Sequence, residues 1–358
     1  MPTQRGASRL FDMSGYKDIT IIGGGLAGLT LGIGLGRRGV PVTIFEAGSY
    51  PRHRVCGEFI SGRGQAVLTR LGLRERLMEA GAIPARTVAF FSARAASPVR
   101  ELPEPAWSVS RHVLDDLLAD EFRKAGGVLH ENDRRRGDSF GEGTVRATGR
   151  RLQPVVNGLR WFGLKVHARN VPLQADLEMH LAPASYLGIS RLGNGEVNIC
   201  GLFRRPPGVG DLPHWPELLR GEPGTHRNKR LAEAEFDPDS FCSVAGLSLA
   251  PRRAVRSEDC CLGDSVTMIP PVTGNGMSMA FESAELAAAP LESYSAGKNS
   301  WPAARQEIAQ KCDAAFARRL AWAAWLQRLI FVPSVQGALV RFAPRWQPVW
   351  RLLVARTR

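Results

Sequence analysis

The stretch from Asp18 to Glu46, DITIIGGGLAGLTLGIGLGRRGVPVTIFE, constrains this chain more than any other. Asp18–Ile22 is short, apolar and β-branched, which is a strand signature. Gly23, Gly25 and Gly28 form G-x-G-x-x-G where that strand meets a helix, and Val42–Phe45 reads as the next strand. Glu46 stands at its end, 18 residues past Gly28 (46 − 28), with Ala47 beside it. A β-α-β unit with this spacing is built to hold a dinucleotide. Gly23 permits the tight turn, and Gly25, lacking a Cβ, lets a pyrophosphate approach the backbone. The helix opening at Leu26, Ala27 and Gly28 offers unpaired N–H groups to the phosphates. Glu46 can accept hydrogen bonds from a ribose hydroxyl. Gly28, Gly32 and Gly36 recur every four residues, so one helix face is bare and can lie close to the sheet. Ile19 to Gly36 is uncharged and long enough for a membrane span, but seven glycines and a strand-then-turn pattern argue against one.

A length of 358 residues suggests about two domains. Apolar content of 44% and charged content of 23% are those of a water-soluble globular protein. Met1–Lys17 lacks the apolar core of a signal peptide and reads as a loose tail. Six cysteines without C-x-x-C spacing argue against a disulfide framework or zinc site and fit a reducing cytoplasm. The seven histidines show no H-x-x-x-H pattern, so no metal is expected. Net charge is +13, and its placement is uneven: after Asp313 there is no acid but eight arginines. No nucleic-acid motif accompanies that charge. A membrane surface or an anionic substrate is the expected partner rather than nucleic acid.

Along the chain, a basic loop holding Arg52 and Arg54 leads into Cys56-Gly57-Glu58. Helix signals run from Gly62 to Leu77, Thr87–Ser92 reads as a strand and Pro98–Pro105 as a proline-rich crossing. Ser110 caps a helix over Arg111–Ala125 with a buried stripe of Leu114, Leu117, Leu118 and Phe122. Val128–His130 reads as a further parallel strand, and His130–Gly149 as an exposed loop. From Trp161 the texture changes to strands, over Trp161–Ala168, Leu177–Leu181, Tyr186–Arg191 and Glu196–Phe203, with a hairpin signal at Leu192–Gly195. An antiparallel sheet is expected there. Pro206–Pro223 reads as loop, Leu231–Glu235 as helix and Ser243–Ser248 as strand. A helix over Ser278–Leu291 precedes a helical C-terminal part with one long apolar face that Pro333 stops. Shorter segments lie between Pro344 and the end.

A second constellation precedes that part. The strand Asp259–Leu262 ends in Gly263-Asp264, and Pro270-Pro271-Val272-Thr273-Gly274-Asn275-Gly276-Met277 opens the helix behind it. Asp264 can bond a polyol hydroxyl, and the N–H groups of Gly274–Met277 face whatever negative charge lies there. One clamp for a pyrophosphate and one for a ribityl-flavin together mean FAD. With these motifs in place, the chain resembles the FAD-dependent oxidoreductases of the p-hydroxybenzoate hydroxylase fold, and within them the geranylgeranyl reductase-like branch. GGGLAG (23–28), Glu46, CGE (56–58), SRHVLDDLL (110–118), WFGLK (161–165), YLGISR, VNICGLF, CLGDS (261–265) and PPVTGNGMSMAFESAELAA (270–288) carry the resemblance, over roughly residues 16–295.

The resemblance implies that Gly23, Gly25 and Gly28 hold the pyrophosphate and Glu46 the adenosine ribose. It also implies that Arg111 reaches the flavin side, Asp264 binds the ribityl chain and Gly274–Met277 face the isoalloxazine, with Pro271 a further cofactor-binding residue. NADPH or NADH is the implied transient reductant, without a nucleotide domain of its own. One position departs from the family: Thr148-Gly149 stands where members carry Asp-Gly. The departure bears on the NAD(P)H step more than on FAD, or is a drifted loop.

The expected architecture is therefore α/β: a Rossmann-type FAD-binding domain (16–83, 105–150 and 250–295), an antiparallel sheet domain for substrate (84–104 and 151–249), and a helical C-terminal region (296–358). Cys56 either lines the reaction pocket or is a small buried apolar residue. Glu58 either shuttles protons or is a surface salt-bridge partner. Arg52 and Arg54 either assist a phosphate or are solvated. The expected activity is a NAD(P)H-using monooxygenase acting on an aromatic, polyketide-like or lipid-like molecule. Ene-reduction of an isoprenoid-type lipid and flavin binding without turnover are the alternatives. The tail holds Trp322, Trp325, Trp346 and Trp350 among its arginines. It either rests on a membrane, covers a long apolar substrate, or packs on the core with a basic outer face. A cytoplasmic location, with or without peripheral membrane contact, is expected.

Overall fold

A computed structural model describes residues 15–150, 158–206 and 214–342, together with 344, 345, 348, 350 and 351. In chain order the opening unit is β1 (Ile19–Ile22), α1 (Leu26–Gly36) and β2 (Val42–Phe45). Next come β3 (Phe59–Ile60), α2 (Arg63–Arg70), α3 (Arg74–Glu79), β4 (Ile83–Phe91), β5 (Arg100–Ser108) and α4 (Arg111–Lys124). Two short strands follow, β6 (Val128–His130) and β7 (Thr144–Arg146), and then the long meander β8 (Arg160–Arg169), β9 (Leu177–Ala182), β10 (Ser185–Arg191) and β11 (Val197–Arg205). The chain continues through α5 (Trp215–Arg220), α6 (His226–Arg230), β12 (Glu235–Ala245) and β13 (Cys260–Cys261) to the helices α7 (Gly276–Ser295), α8 (Trp301–Ile330) and α9 (Pro333–Phe342).

Two sheets result. The first is parallel throughout, in the order β13-β7-β1-β2-β6. Its strands are short and apolar, and α1 is buried over nearly its whole length against it. The three glycines of the bare face each meet backbone or ring at close range. A Cβ on Gly28 would lie 2.0 Å from the Gly23 carbonyl oxygen, one on Gly32 would lie 2.6 Å from the Phe122 ring of α4, and one on Gly36 would lie 2.7 Å from the Ala125 carbonyl. The bare face thus seats α1 on α4 as much as on the sheet. Leu114, Leu118 and Phe122 of α4 are fully buried, and the Ser110 hydroxyl caps that helix by accepting from the Val113 N–H.

The second sheet has eight strands in the order β12-β8-β11-β10-β9-β4-β5-β3. It is antiparallel except where β4 runs parallel to β9. Its far face packs Leu164, Val166, Leu187, Ile189 and Ile199 under α5 and under Leu231 and Ala234 of the turn that follows α6. Its near face is set by register. His167, Asn198, Ser190 and Leu177 align across β8, β11, β10 and β9, and Lys165, Cys200, Gly188 and Met179 form the adjacent row. The near face therefore grades from polar at β8 to apolar at β9.

Several local expectations give way. The stretch 130–149 is not all exposed loop, because Val145 is fully buried and β7 pairs with both β1 and β13. Pro98–Pro105 is not a bare crossing, because β5 pairs on both sides with β3 and β4. The helix read from Gly62 to Leu77 is two helices, broken where Gly72 adopts a φ of 58°. Leu231–Glu235 is not helical: α6 stops at Arg230 and β12 begins at Glu235. Within Pro206–Pro223 the chain forms α5 rather than continuous loop. Residues 1–14 of the tail, 207–213 of that loop, Trp346, Arg356, Arg358 and most of the short segments after Pro344 lie outside the described residues.

Candidate active site

Both clamps meet at one place because α1 and α7 pack side by side. A Cβ on Gly263, whose φ is 56°, would lie 3.2 Å from the Ala27 Cβ, so the Gly263-Asp264 turn sits against the start of α1. Gly23 turns the chain at φ 110° and has no room for a side chain, its Cβ falling 2.3 Å from the Ala147 carbonyl oxygen. Gly25 differs. Its φ is −85° and a Cβ there would meet nothing within 4 Å. Neither backbone nor packing demands glycine at this N-cap, whereas a phosphate approaching the helix start does.

Glu46 is buried at the end of β2. Its Oε2 accepts from the Gly24 N–H at 2.8 Å, and its Oε1 accepts from the Gly48 N–H at 2.9 Å and pairs with Arg52 at 2.5 Å. Burial alone would pull this carboxyl up, but Arg52 and the Gly48 N–H outweigh it and hold it below the usual carboxylate range. Arg52 is thus a partner of Glu46 and not a solvated side chain. Arg54 stands at the rim, 3.6 Å from the same carboxylate and half-exposed, with Ala47 exposed beside them.

The second clamp opens onto a cavity of about 310 Å³ between the two sheets and the C-terminal helices. Asp264, Pro271, Gly274, Gly276 and Met277 line one end with Cys56 and Arg150. Burial pushes the Asp264 carboxyl up, and the Arg150 guanidinium 3.3 Å away offsets only part of that. Arg150 also donates to the Val55 carbonyl at 2.7 Å. Asn275 is buried, and its side-chain N–H₂ has no hydrogen-bond partner among the described residues. An open N-cap at Gly25, an unpaired amide donor at Asn275 and a carboxylate at Asp264 fit the three polar parts of FAD. The other end of the cavity is apolar, lined by Leu181, Leu202, Met268 and Val272, and by Ile330 and Val340 of α8 and α9. Tyr186 lies among them, its buried hydroxyl unpartnered among the described residues.

Glu58 is not on the surface. It is fully buried at φ 56°, a left-handed conformation that non-glycine residues rarely adopt. Its carboxylate accepts from His167 Nε2 at 2.7 Å and from the Arg111 N–H at 2.9 Å, and lies 3.4 Å from Lys165 Nζ. Burial would raise it, but the His167 hydrogen bond and the Lys165 charge prevail and hold it below its ordinary value. His53 Nδ1 stands 3.0 Å from Lys165 Nζ, and burial together with that ammonium pushes His53 down to about 4. His53, Glu58 and His167 place three ligand atoms within 4.8 Å of one another, but the Lys165 ammonium already stands among them, and a metal ion would have to displace it.

This cluster fixes the loop that faces the cavity. Asn198 donates to the Cys56 carbonyl and Ser190 to that of Gly57. Burial raises the Cys56 thiol, so it is a protonated wall rather than a thiolate nucleophile. The Arg111 guanidinium is held bidentately by Asp115 at 2.5 and 2.8 Å. Thr148-Gly149 follows β7 after one residue, Ala147, and the Gly149 N–H donates to Ser265 beside Asp264. This hydrogen bond ties the stretch to the Asp264 clamp. Sequence reading missed Arg150, Lys165, His167 and Tyr186. For Lys165 and His167 a signal existed, since between the arginines that end β8 they are the two ionisable residues, two positions apart among apolar ones.

Fold and clamps together define an FAD-dependent oxidoreductase of the p-hydroxybenzoate hydroxylase fold. Residues 16–154 match the family described as the FAD binding domain. The menaquinone reductase of Mycobacterium tuberculosis is 26% identical over 357 residues, covering 85% of this chain and 83% of its own. The squalene epoxidase of Aspergillus fumigatus is 25% identical, covering 74% of this chain and 64% of its own. Among solved structures, p-nitrophenol 4-monooxygenase from Pseudomonas putida superposes with a TM-score of 0.72 at 14% identity, covering 95% of this chain and 97% of its own.

Proposed function

We propose that this flavoprotein is a NAD(P)H-dependent monooxygenase that acts on an apolar, lipid-like molecule carrying one hydrogen-bonding oxygen. The cavity carries this reading: its far end offers hydrocarbon side chains and a single unpaired hydroxyl, that of Tyr186, among the described residues. Burial raises the Tyr186 phenol well above its ordinary value, so it stays a hydrogen-bond donor. An unmet buried hydroxyl costs about 1–3 kcal/mol, which a substrate oxygen recovers on binding. Bound FAD supplies the two-electron redox chemistry at the Asp264 end. The chain's own part is to hold the ring edge with the N–H groups that open α7, to keep water out, and to align the substrate from Tyr186. Squalene epoxidase, an oxygen-inserting relative named for an apolar substrate, supports hydroxylation or epoxidation.

Reduction of an alkene or quinone, as in the reductase branch, is the second reading. The similarity to menaquinone reductase across 85% of the chain favours it. Incubation with NADPH, air enriched in heavy oxygen, and a panel of apolar quinones and polyprenyl compounds separates the two. A product carrying one heavy oxygen atom supports the monooxygenase. A product that has gained only hydrogen supports the reductase. Turnover of charged aromatic acids in preference to the apolar panel would refute the substrate class.

A further inference from the structure

The mechanism leaves unexplained the outer faces of α8 and α9. Arg318, Ala321, Trp325, Arg328 and Val332 follow one another at helical spacing along the end of α8 and the turn behind it, and all are exposed. On α9, Ala338, Arg341 and Phe342 are exposed likewise. Trp325 is 50% and Phe342 65% exposed, and they are the only exposed large aromatics among the described residues. Trp325 stacks on Trp322 with ring centroids 4.8 Å apart. No acid follows Asp313 in the chain. The inner faces of the same helices, at Leu326, Ile330, Leu339 and Val340, line the cavity.

We infer that this corner docks on the surface of an anionic lipid bilayer, with Trp325, Val332 and Phe342 in the headgroup region and Arg318, Arg328 and Arg341 on lipid phosphates. Interspersed arginines and large apolar side chains on one outer face are what an interfacial helix requires. No helix among the described residues is long and apolar enough to cross a membrane, so the contact is with the surface. A basic face alone would also suit RNA. The cavity decides between them, because only a lipid surface gives it a source of apolar molecules, and the wall between them is one helix, roughly 10–12 Å, thick. Docking does not depend on which apolar substrate is used, and the assay reads binding without turnover, so it can fail or succeed independently of the proposed reaction.

The test is co-sedimentation of the FAD-loaded full chain with vesicles of phosphatidylcholine alone or doped with phosphatidylglycerol. Binding to the anionic vesicles is expected, weakening as salt rises. Each arginine withdrawn should lower partitioning about fivefold, so the triple variant Arg318→Gln, Arg328→Gln, Arg341→Gln should lose about a hundredfold. Trp325→Ser with Phe342→Ser should weaken binding at unchanged salt dependence. Brominated lipid should quench part of the tryptophan fluorescence of the unsubstituted protein, and Trp325→Phe should abolish that part; this result decides even where a multiple variant loses flavin. Failure to bind anionic vesicles at low salt would overturn the inference. So would variants that bind vesicles as well as the parent, or a face that binds polyribonucleotide and leaves vesicles in solution.

Discussion

Gly25→Ser separates the needs of the cofactor from those of the fold. At this N-cap the backbone φ is −85° and a Cβ meets nothing within 4 Å, so the apoprotein accepts serine without strain. Serine is also among the favoured N-cap residues, and its hydroxyl can accept from the first turn. The unfolding temperature without FAD should therefore stay level or rise slightly. The new atoms fill the space left for the pyrophosphate and push it off the α1 N–H groups. Each such charge-assisted hydrogen bond contributes about 1.5–3 kcal/mol. Losing one or two weakens FAD by about 2–4 kcal/mol, or roughly 30- to 1,000-fold in Kd. Gly28→Ala is the contrast. Its Cβ would sit 2.0 Å from the Gly23 carbonyl oxygen, so the apoprotein itself should lose about 1–3 kcal/mol. Calorimetric titration of each apoprotein with FAD, beside thermal unfolding, reads both quantities. Parental FAD affinity in Gly25→Ser, or an apoprotein as damaged as that of Gly28→Ala, would refute the assignment of this turn.

Three further outcomes follow from the polar cluster and the cavity floor. Glu58→Gln leaves the Lys165 ammonium buried without its counter-charge and should cost about 3–5 kcal/mol in denaturant unfolding; adding Lys165→Met should recover part of that loss. The neutral His53 ring is favoured in the fold, so its contribution is full above its ordinary 6.5 and is lost as pH falls towards about 4. The unfolding temperature should drop across that window, and His53→Gln should flatten the drop; an equal slope in the variant would exclude His53 as its source. Gly188 sits mid-strand in the cavity floor, where a Cβ would meet only the Cys200 carbonyl oxygen at 3.7 Å. Gly188→Val should hold or raise stability by up to about 1 kcal/mol while abolishing turnover of bulky substrates; full turnover would place the substrate elsewhere.

The opening β-α-β unit is legible because its constraint is local: Gly23, Gly25, Gly28 and Glu46 all act within one supersecondary motif. What escapes reading depends on distant partners. β7 is three residues long and lies between glycines and charges, and only pairing with β1 and β13 makes it a strand. β5 was hidden by Pro103 and Pro105, which fall in the stretch where its ladder with β4 is irregular. Glu58 reads as an ordinary acid because the residues that bury it, Lys165 and His167, lie more than a hundred positions along the chain. Tyr186 reads as one more strand aromatic, and the partner of its ring, Phe331, lies 145 positions along the chain (331 − 186).

The most direct test of the account is the absorbance spectrum of the purified protein, taken after FAD reconstitution, under anaerobic NADPH and then in air. A flavin spectrum at one FAD per chain that bleaches with NADPH and returns in air with peroxide release is the predicted result for a monooxygenase lacking its substrate. Stoichiometric flavin that NADPH leaves oxidised would contradict the proposed reductant and give weight to Thr148 in place of an acid. Failure to take up FAD at all would contradict the reading of both clamps.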